Sequence, residues 1–242
     1  MSAIQVTVWN EFIHEREKSE VATIYPHGIH NTIAEGLREH LGESVLVRTG
    51  TLGDSEQGLP DEVLSTTDVL YWWGHAAHDQ VNDDLVARIA ERVLSGMGLV
   101  VLHSGHDSKP FKRLMGTNCQ LRWREDGELE RLWVVDPGHP ILDGLDVEYF
   151  ELPATEMYGE QFGIPQPDEL LMISWFEGGE VFRSACTWRR GKGKVFYFRP
   201  GHETYPIYFD SNVRQILSNA AVWAKPSGSP TDLSCRNPDR LS

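Results

Sequence analysis

Gly98-Leu-Val-Val-Leu102-His103-Ser104-Gly105 is the stretch on which the reading of this 242-residue chain turns. Five apolar residues make a buried strand too short to be a helix, and the segment Lys109 to Met115 that follows has helical character. Between them, a single residue and then x-Gly give the layout of a nucleophile elbow, a sharp strand-to-helix turn that exposes one side chain at the sheet edge. Here the exposed slot holds His103, and Ser104 stands one place out of register.

Working outward, the same alternation recurs. Ile4 to Trp9 reads as a strand, residues 10–26 as a polar loop, and Ile29 to Leu41 as a helix with apolar residues at 29, 33, 34, 37 and 41. Val45 to Thr49 and Asp68 to Trp73 are further strands, and Val81 to Leu94 is a helix with 81, 85, 86, 89, 90, 93 and 94 on one side. Strands alternating with helices of this length imply right-handed βαβ units, hence a parallel sheet with helices on both faces. From about 117 to 200 the pattern changes to a β-rich extension. It starts with a hairpin over 117–135 that turns at Glu125-Asp-Gly127, and adds strands at Leu170 to Trp175, Ser184 to Arg189 and Lys194 to Phe198. A helix from about Ser211 to Trp223 closes what we take to be one domain, residues 1–225, and the Pro/Ser/Asn-rich stretch 226–242 reads as a flexible tail.

Composition narrows the function. Hydrophobic residues are 40% and charged residues 24%, so the chain can bury a core. No apolar run is long enough to span a bilayer and the N-terminus has no signal-peptide layout, while three scattered cysteines make no disulfide framework; the expectation is a reduced, cytoplasmic protein. A formal net charge of −14 argues against nucleic acid. The one dense basic stretch, Arg189 to Lys194, reads as a hairpin turn and lacks the GxxxxGK[ST] of a phosphate-binding loop.

Ligands of open α/β sheets bind beyond the carboxyl ends of the strands. Past those ends stand Asn10 and Glu11, the segment Tyr25-Pro-His27-Gly-Ile-His30, Gly74-His75-Ala-Ala-His78, His103-Ser-Gly-His106, and His202-Glu203. Seven of the ten histidines therefore fall on one predicted edge. Such rings can hydrogen-bond a substrate and exchange protons near neutral pH. They could also assemble a divalent-metal site, zinc being the natural candidate, from His30, His75, His103, His202 or a carboxylate such as Glu156. The spacing of three within His27/His30, His75/His78 and His103/His106 is not the HExxH signature.

The elbow resembles that of class I glutamine amidotransferases, but the cysteine nucleophile is missing, which excludes glutamine hydrolysis. No Asp–His order supports Ser104 as a replacement. Further motifs make the resemblance specific. Tyr25-Pro-x-Gly-Ile-His30, Trp72-Trp-Gly-His75, Val101-Leu-His103-Ser-Gly, Gly138-His-Pro-Ile141, Glu156-x-Tyr158 and Gly191-x-Gly-Lys-Val-Phe-Tyr-Phe-Arg-Pro-Gly-His202-Glu203 together resemble the ThuA family of trehalose-utilisation proteins over about residues 3 to 225. The resemblance implies a flavodoxin-like, class I glutamine amidotransferase-like fold without the glutaminase cysteine. It also implies a place in bacterial disaccharide catabolism beside an NAD-dependent sugar dehydrogenase, with a step on a keto-disaccharide.

The residues suit a small-molecule sugar: polar side chains for hydroxyls, aromatic faces for the C–H side of the ring. Trp9, Trp73, Tyr25, Tyr158 and Tyr205 fall near the predicted pocket, while Trp72 reads as core. The leading expectation is acid–base chemistry on a keto-sugar, with His103 or Glu156 as base and His202 or a metal stabilising the enediolate. Asn10, Glu11, Tyr25, His27, His78, His106, Tyr158 and Glu203 would bind substrate. A non-catalytic sugar-binding protein and a metal-dependent hydrolase are the alternatives. Trp123 and Trp133 on the extension suggest a homodimer.

Overall fold

A computed structural model describes residues 2–228 and Arg240. Strands β1 (Ile4–Asn10), β2 (Val45–Thr51), β3 (Val69–Trp73) and β4 (Gly98–Leu102) lie parallel. Strands β5 (Arg122–Val134), β6 (Tyr149–Gly159), β7 (Glu169–Phe176), β8 (Val181–Arg190) and β9 (Gly193–Phe198) complete a nine-stranded sheet of order β2-β1-β3-β4-β9-β8-β7-β5-β6. β9 is the seam, pairing in parallel with β4 and antiparallel with β8. The order β2-β1-β3-β4 is that of flavodoxin-like sheets. The β-rich segment is thus a continuation of the same sheet.

Strand alternation sorts the core into two layers. Ile4, Val6 and Val8 of β1 face Ile33 and Leu37 of α3 (Ile29–Leu41) and Val213, Ile216 and Leu217 of α7 (Ser211–Ala224). On the other face, Leu70 and Trp72 of β3 and Leu99 and Val101 of β4 pack with α5 (Asp83–Leu94) and α6 (Lys109–Met115). Helix α6 keeps its expected bounds because both ends are capped. The Ser108 side chain accepts from the Phe111 N–H, and Gly116 closes the helix in the left-handed conformation. At α7, Asp210 accepts from the N–H groups of Asn212 and Val213.

Three expectations need correction. The segment read as a polar loop contains α1 (His14–Glu17) and α2 (Ser19–Ile24), helices too short to show a period; α4 (Asp61–Ser65) is a third such helix. Residues 117–135 do not form a hairpin on themselves. Chain 122–134 is one strand paired to β6, and Glu125-Asp-Gly127 marks an irregularity in register, with Gly127 at φ +68°, rather than a turn. The helix expected from Val81 begins at Asp83. Arg189 to Lys194 does form the β8–β9 hairpin turn, and two of its four cations are engaged: Arg190 Nε donates to the Leu114 carbonyl and Lys194 Nζ to that of Trp223. Most of the stretch expected to be a flexible tail lies outside the described residues. Among those residues, no helix is long and apolar enough to cross a membrane.

Candidate active site

Every parallel strand except β2 delivers side chains to one place at the carboxyl edge, and β6 reaches it from the other half of the sheet. His103 follows β4 with φ +48°, the strained conformation of an elbow turn, but its side chain is not exposed as the elbow layout predicts. Its ring is fully buried. Nδ1 lies 2.9 Å from the Arg199 carbonyl, which can only accept, so Nδ1 carries the ring hydrogen and Nε2 presents a lone pair. That lone pair faces Glu156 Oε2 at 3.0 Å and the Tyr158 hydroxyl at 3.3 Å, and the Tyr158 ring stacks on the imidazole at 4.9 Å.

Burial, aided by the Arg199 charge, holds His103 well below the ordinary histidine range, while burial pushes the Glu156 carboxyl up. Both shifts favour the uncharged forms. An ionised Oε2 would face a nitrogen with no hydrogen to give, with the Tyr158 hydroxyl as a neighbouring donor. Geometry and the direction of both shifts favour one proton for the pair, held on Glu156 and directed at Nε2.

A second group abuts the first. Glu203 is fully buried, with Oε1 2.6 Å from His14 Nδ1 and 3.2 Å from Lys18 Nζ, and Oε2 2.9 Å from His75 Nδ1 and 3.6 Å from His202 Nε2. Burial alone would raise this carboxyl, but its hydrogen bonds to His14 and His75 and the charge of His75 hold it far below the usual carboxylate range. For His75, burial opposes the charge, yet the hydrogen bond and charge of Glu203 outweigh it and lift the ring above its ordinary value. His202 goes the other way, lowered to about 3 by burial and then by His103. Its Nδ1 meets the Thr204 hydroxyl at 2.8 Å. The ring centroids of His75, His103 and His202 stand 5.3–6.0 Å apart. Gly201, at φ +142°, makes this approach feasible, since a Cβ there would lie 2.1 Å from the Tyr208 hydroxyl.

Above these groups opens a cleft of about 470 Å³, walled by His14, His75, His78, His106, Glu156 and Tyr158 below and by Trp123, Glu125, Gln120 and Lys18 at the mouth. Trp123 is 66% exposed, the largest apolar surface at the opening. Burial lowers His78, and His106 to about 4; His106 Nδ1 meets the Cys119 carbonyl at 2.8 Å.

Other predicted site residues do not reach the cleft walls. Glu11 accepts the N–H groups of Ala76 and Ala77 at 2.6 and 3.0 Å, ordering the loop that carries His75 and His78. The Asn10 side chain donates to Glu15 and meets His30 Nδ1, whose ring is also engaged at Nε2 by Asn31. His30 thus belongs to a buried network at the start of α3 and to neither cluster of metal-ligating groups. Tyr25 is buried and donates to the Tyr205 carbonyl, and His27 is exposed. Trp9 stacks on Trp72 in the core, and Trp73 donates to the Gly201 carbonyl from a fully buried position. Ser104 does line the cleft, but its hydroxyl donates to the Gly74 carbonyl at 2.8 Å.

The residues missed from sequence are His14, Lys18, Gln120, Trp123, Glu125 and Arg199. His14 lies four residues beyond β1, so the strand-end rule would have found it had it been carried past Glu11.

Among the described residues, two sets of three have ligand atoms within 4.8 Å of one another: His103, Glu156 and His202, and His14, His75 and Glu203. In the second set the Lys18 ammonium already stands by Glu203, so the first is the better cation site.

The sequence profile of the ThuA family, described as trehalose utilisation, matches residues 5–224. Among curated proteins none matches the chain. Among solved structures, a ThuA-like protein from Parabacteroides merdae ATCC 43184 superposes with a TM-score of 0.66 at 16% identity, covering 97% of each chain. Another from Bacteroides uniformis ATCC 8492 gives 0.65 at 16% identity, covering 95% of this chain and 96% of that one. A cytoplasmic protein from Salmonella typhimurium LT2 gives 0.62 at 12% identity over 92% of this chain and all of its own. At such identities these structures speak for the fold alone, whereas the profile spans nearly the whole sequence: the chain belongs to the ThuA family, the trehalose-utilisation proteins.

Proposed function

We propose that the cleft binds a keto-sugar of disaccharide catabolism and moves a proton at the carbon beside its carbonyl, as in keto-sugar isomerisation. The observation that carries this reading is the 3.0 Å contact between His103 Nε2 and Glu156 Oε2 at the cleft floor. Passing its proton to Nε2 frees the Glu156 carboxylate to take the carbon-bound proton. His75, kept protonated by Glu203, lines the same cleft; it gives a proton to the carbonyl oxygen where charge develops and takes one back from the neighbouring hydroxyl. Glu156 exchanges that proton with solvent and delivers one to the adjacent carbon, and Nε2 then returns its own proton to Glu156, which completes the isomerisation and resets the pair. Trp123 offers an aromatic face to the sugar ring, and His78, His106 and Gln120 offer hydrogen bonds.

The test is deuterium uptake from heavy water into a keto-disaccharide, read by mass spectrometry. One deuteron should enter with the wild-type protein and none with His103→Asn or Glu156→Gln. A ligand that raises Tm without any exchange would make the protein a sugar binder, not a catalyst.

A second reading, metal-assisted hydrolysis, is favoured by the His103–Glu156–His202 set, three donors beside an open cleft. Elemental analysis of the purified protein, with loss of hydrolysis on chelation, separates it from the first.

A further inference from the structure

Arg199 directly follows β9, the strand at which parallel pairing gives way to antiparallel pairing. Its guanidinium is fully buried. One nitrogen pairs with Glu130, whose other oxygen accepts from Ser174, while a second nitrogen donates to Thr155 Oγ1 at 2.8 Å and to the Glu156 backbone carbonyl at 2.5 Å. The same guanidinium lies 5.3 Å from the centre of the Tyr158 ring and 5.1 Å from that of Phe176. Meanwhile its own carbonyl holds His103 Nδ1. One residue therefore fixes the tautomer of the imidazole, the backbone of the carboxylate and one face of the tyrosine stacked on that imidazole. A buried ion pair is by itself weak ground for stability, because desolvation offsets most of the attraction. Its geometry here gives it another use.

We propose that Arg199 is the positioning residue of the His103–Glu156 pair, setting the distance across which the proton moves while touching neither the cleft nor the substrate. The kinetic part of this proposal rests on the acid–base reading above; the geometric part does not.

Two variants test it. Arg199→Lys keeps the charge opposite Glu130 but has no second nitrogen for Glu156. The double variant Arg199→Met/Glu130→Gln removes both charges together, a replacement buried pairs commonly tolerate. In the nitrogen-15 spectrum of histidine-labelled protein, the His103 Nε2 resonance, assigned by its loss in His103→Asn, should move from its hydrogen-bonded position toward that of an unbonded imine nitrogen in both variants. Deuterium uptake should fall about 100-fold in kcat with KM unchanged, the size of effect a misplacement near 1 Å produces. If either folded variant keeps the wild-type resonance, the proposal is overturned, whatever its activity. If the wild-type protein exchanges no substrate proton, the acid–base reading fails and the resonance alone decides the positioning role. Should the double variant not fold, Arg199→Lys decides.

Discussion

The two halves of the sheet build the site by different means. The parallel half, β2-β1-β3-β4-β9, follows each of β1, β3, β4 and β9 with a loop that brings a histidine: His14, His75, His103 and His202. Topology alone puts such loops on one edge. The antiparallel half offers its side chains from within strands, with Trp123 and Glu125 from β5 and Glu156 and Tyr158 from β6. The parallel half thus supplies imidazoles, and the antiparallel half supplies the carboxyl that completes them and the aromatic wall over them. The parallel half holds its own Glu203–His75 ion pair, but the His103–Glu156 pair exists only where the two halves meet.

The sharpest way to break this comparison is to remove one partner from each half. Glu156→Gln and His103→Asn should each slow deuterium uptake by about 10²–10⁴-fold, the range of a lost general acid or base. If only the histidine variant loses activity, the antiparallel half is no more than a lid.

Next in size comes Glu203→Gln. It leaves His14 and His75 without the buried carboxylate they share, and should cost about 3–5 kcal/mol in urea denaturation. Loss of stability far below that would mean the histidine cluster on the parallel side is held by packing instead.

A smaller effect follows from protonation. His30 and His106 are lowered to about 4 by burial, so the unfolded chain binds their protons near pH 6.5 while the folded chain binds them only near 4. Between those values the unfolded state carries more protons, and stability falls as pH falls. Tm should decline from pH 6.5 to 4, and His106→Gln should flatten the decline. A Tm that rises on acidification would contradict these buried, neutral rings.

Smallest is Trp123→Ala at the cleft mouth. Its exposure predicts a stability change within about 0.5 kcal/mol. Titration calorimetry with the sugar that raises Tm should show affinity weakened several-fold, as loss of an aromatic contact worth about 1 kcal/mol requires. Unchanged affinity would leave the antiparallel half contributing only Glu156 and Tyr158.

How much of this was legible in sequence follows the same division. In the parallel half, each strand is an apolar run and α3, α5 and α6 carry clear helical periods, so the elements and the positions just beyond them could be read. That is why His75, His103 and His202 were found, and why His14, carried on a four-residue helix, was not. Position past a strand end does not fix direction, however. Tyr25 turns into the core, His27 stays exposed, and His30 joins the Asn10–Glu15 network. In the antiparallel half, an irregularity at Gly127 imitated a turn, and β6, which holds a proline at 153, gave no clean alternation. Glu156 was recognised as a carboxylate of open role; only the fold shows that it faces His103. Arg199, charged and next to a proline, carried no signal that it would be buried.

The central claim is that an uncharged carboxyl–imidazole pair sits where the two halves meet. Difference infrared spectroscopy at neutral pH, wild type minus Glu156→Gln, tests it most directly. A protonated Glu156 gives a carboxylic-acid C=O band that is present in the wild type, absent in the variant and shifted in His103→Asn. A difference spectrum containing only ionised carboxylate bands would contradict it.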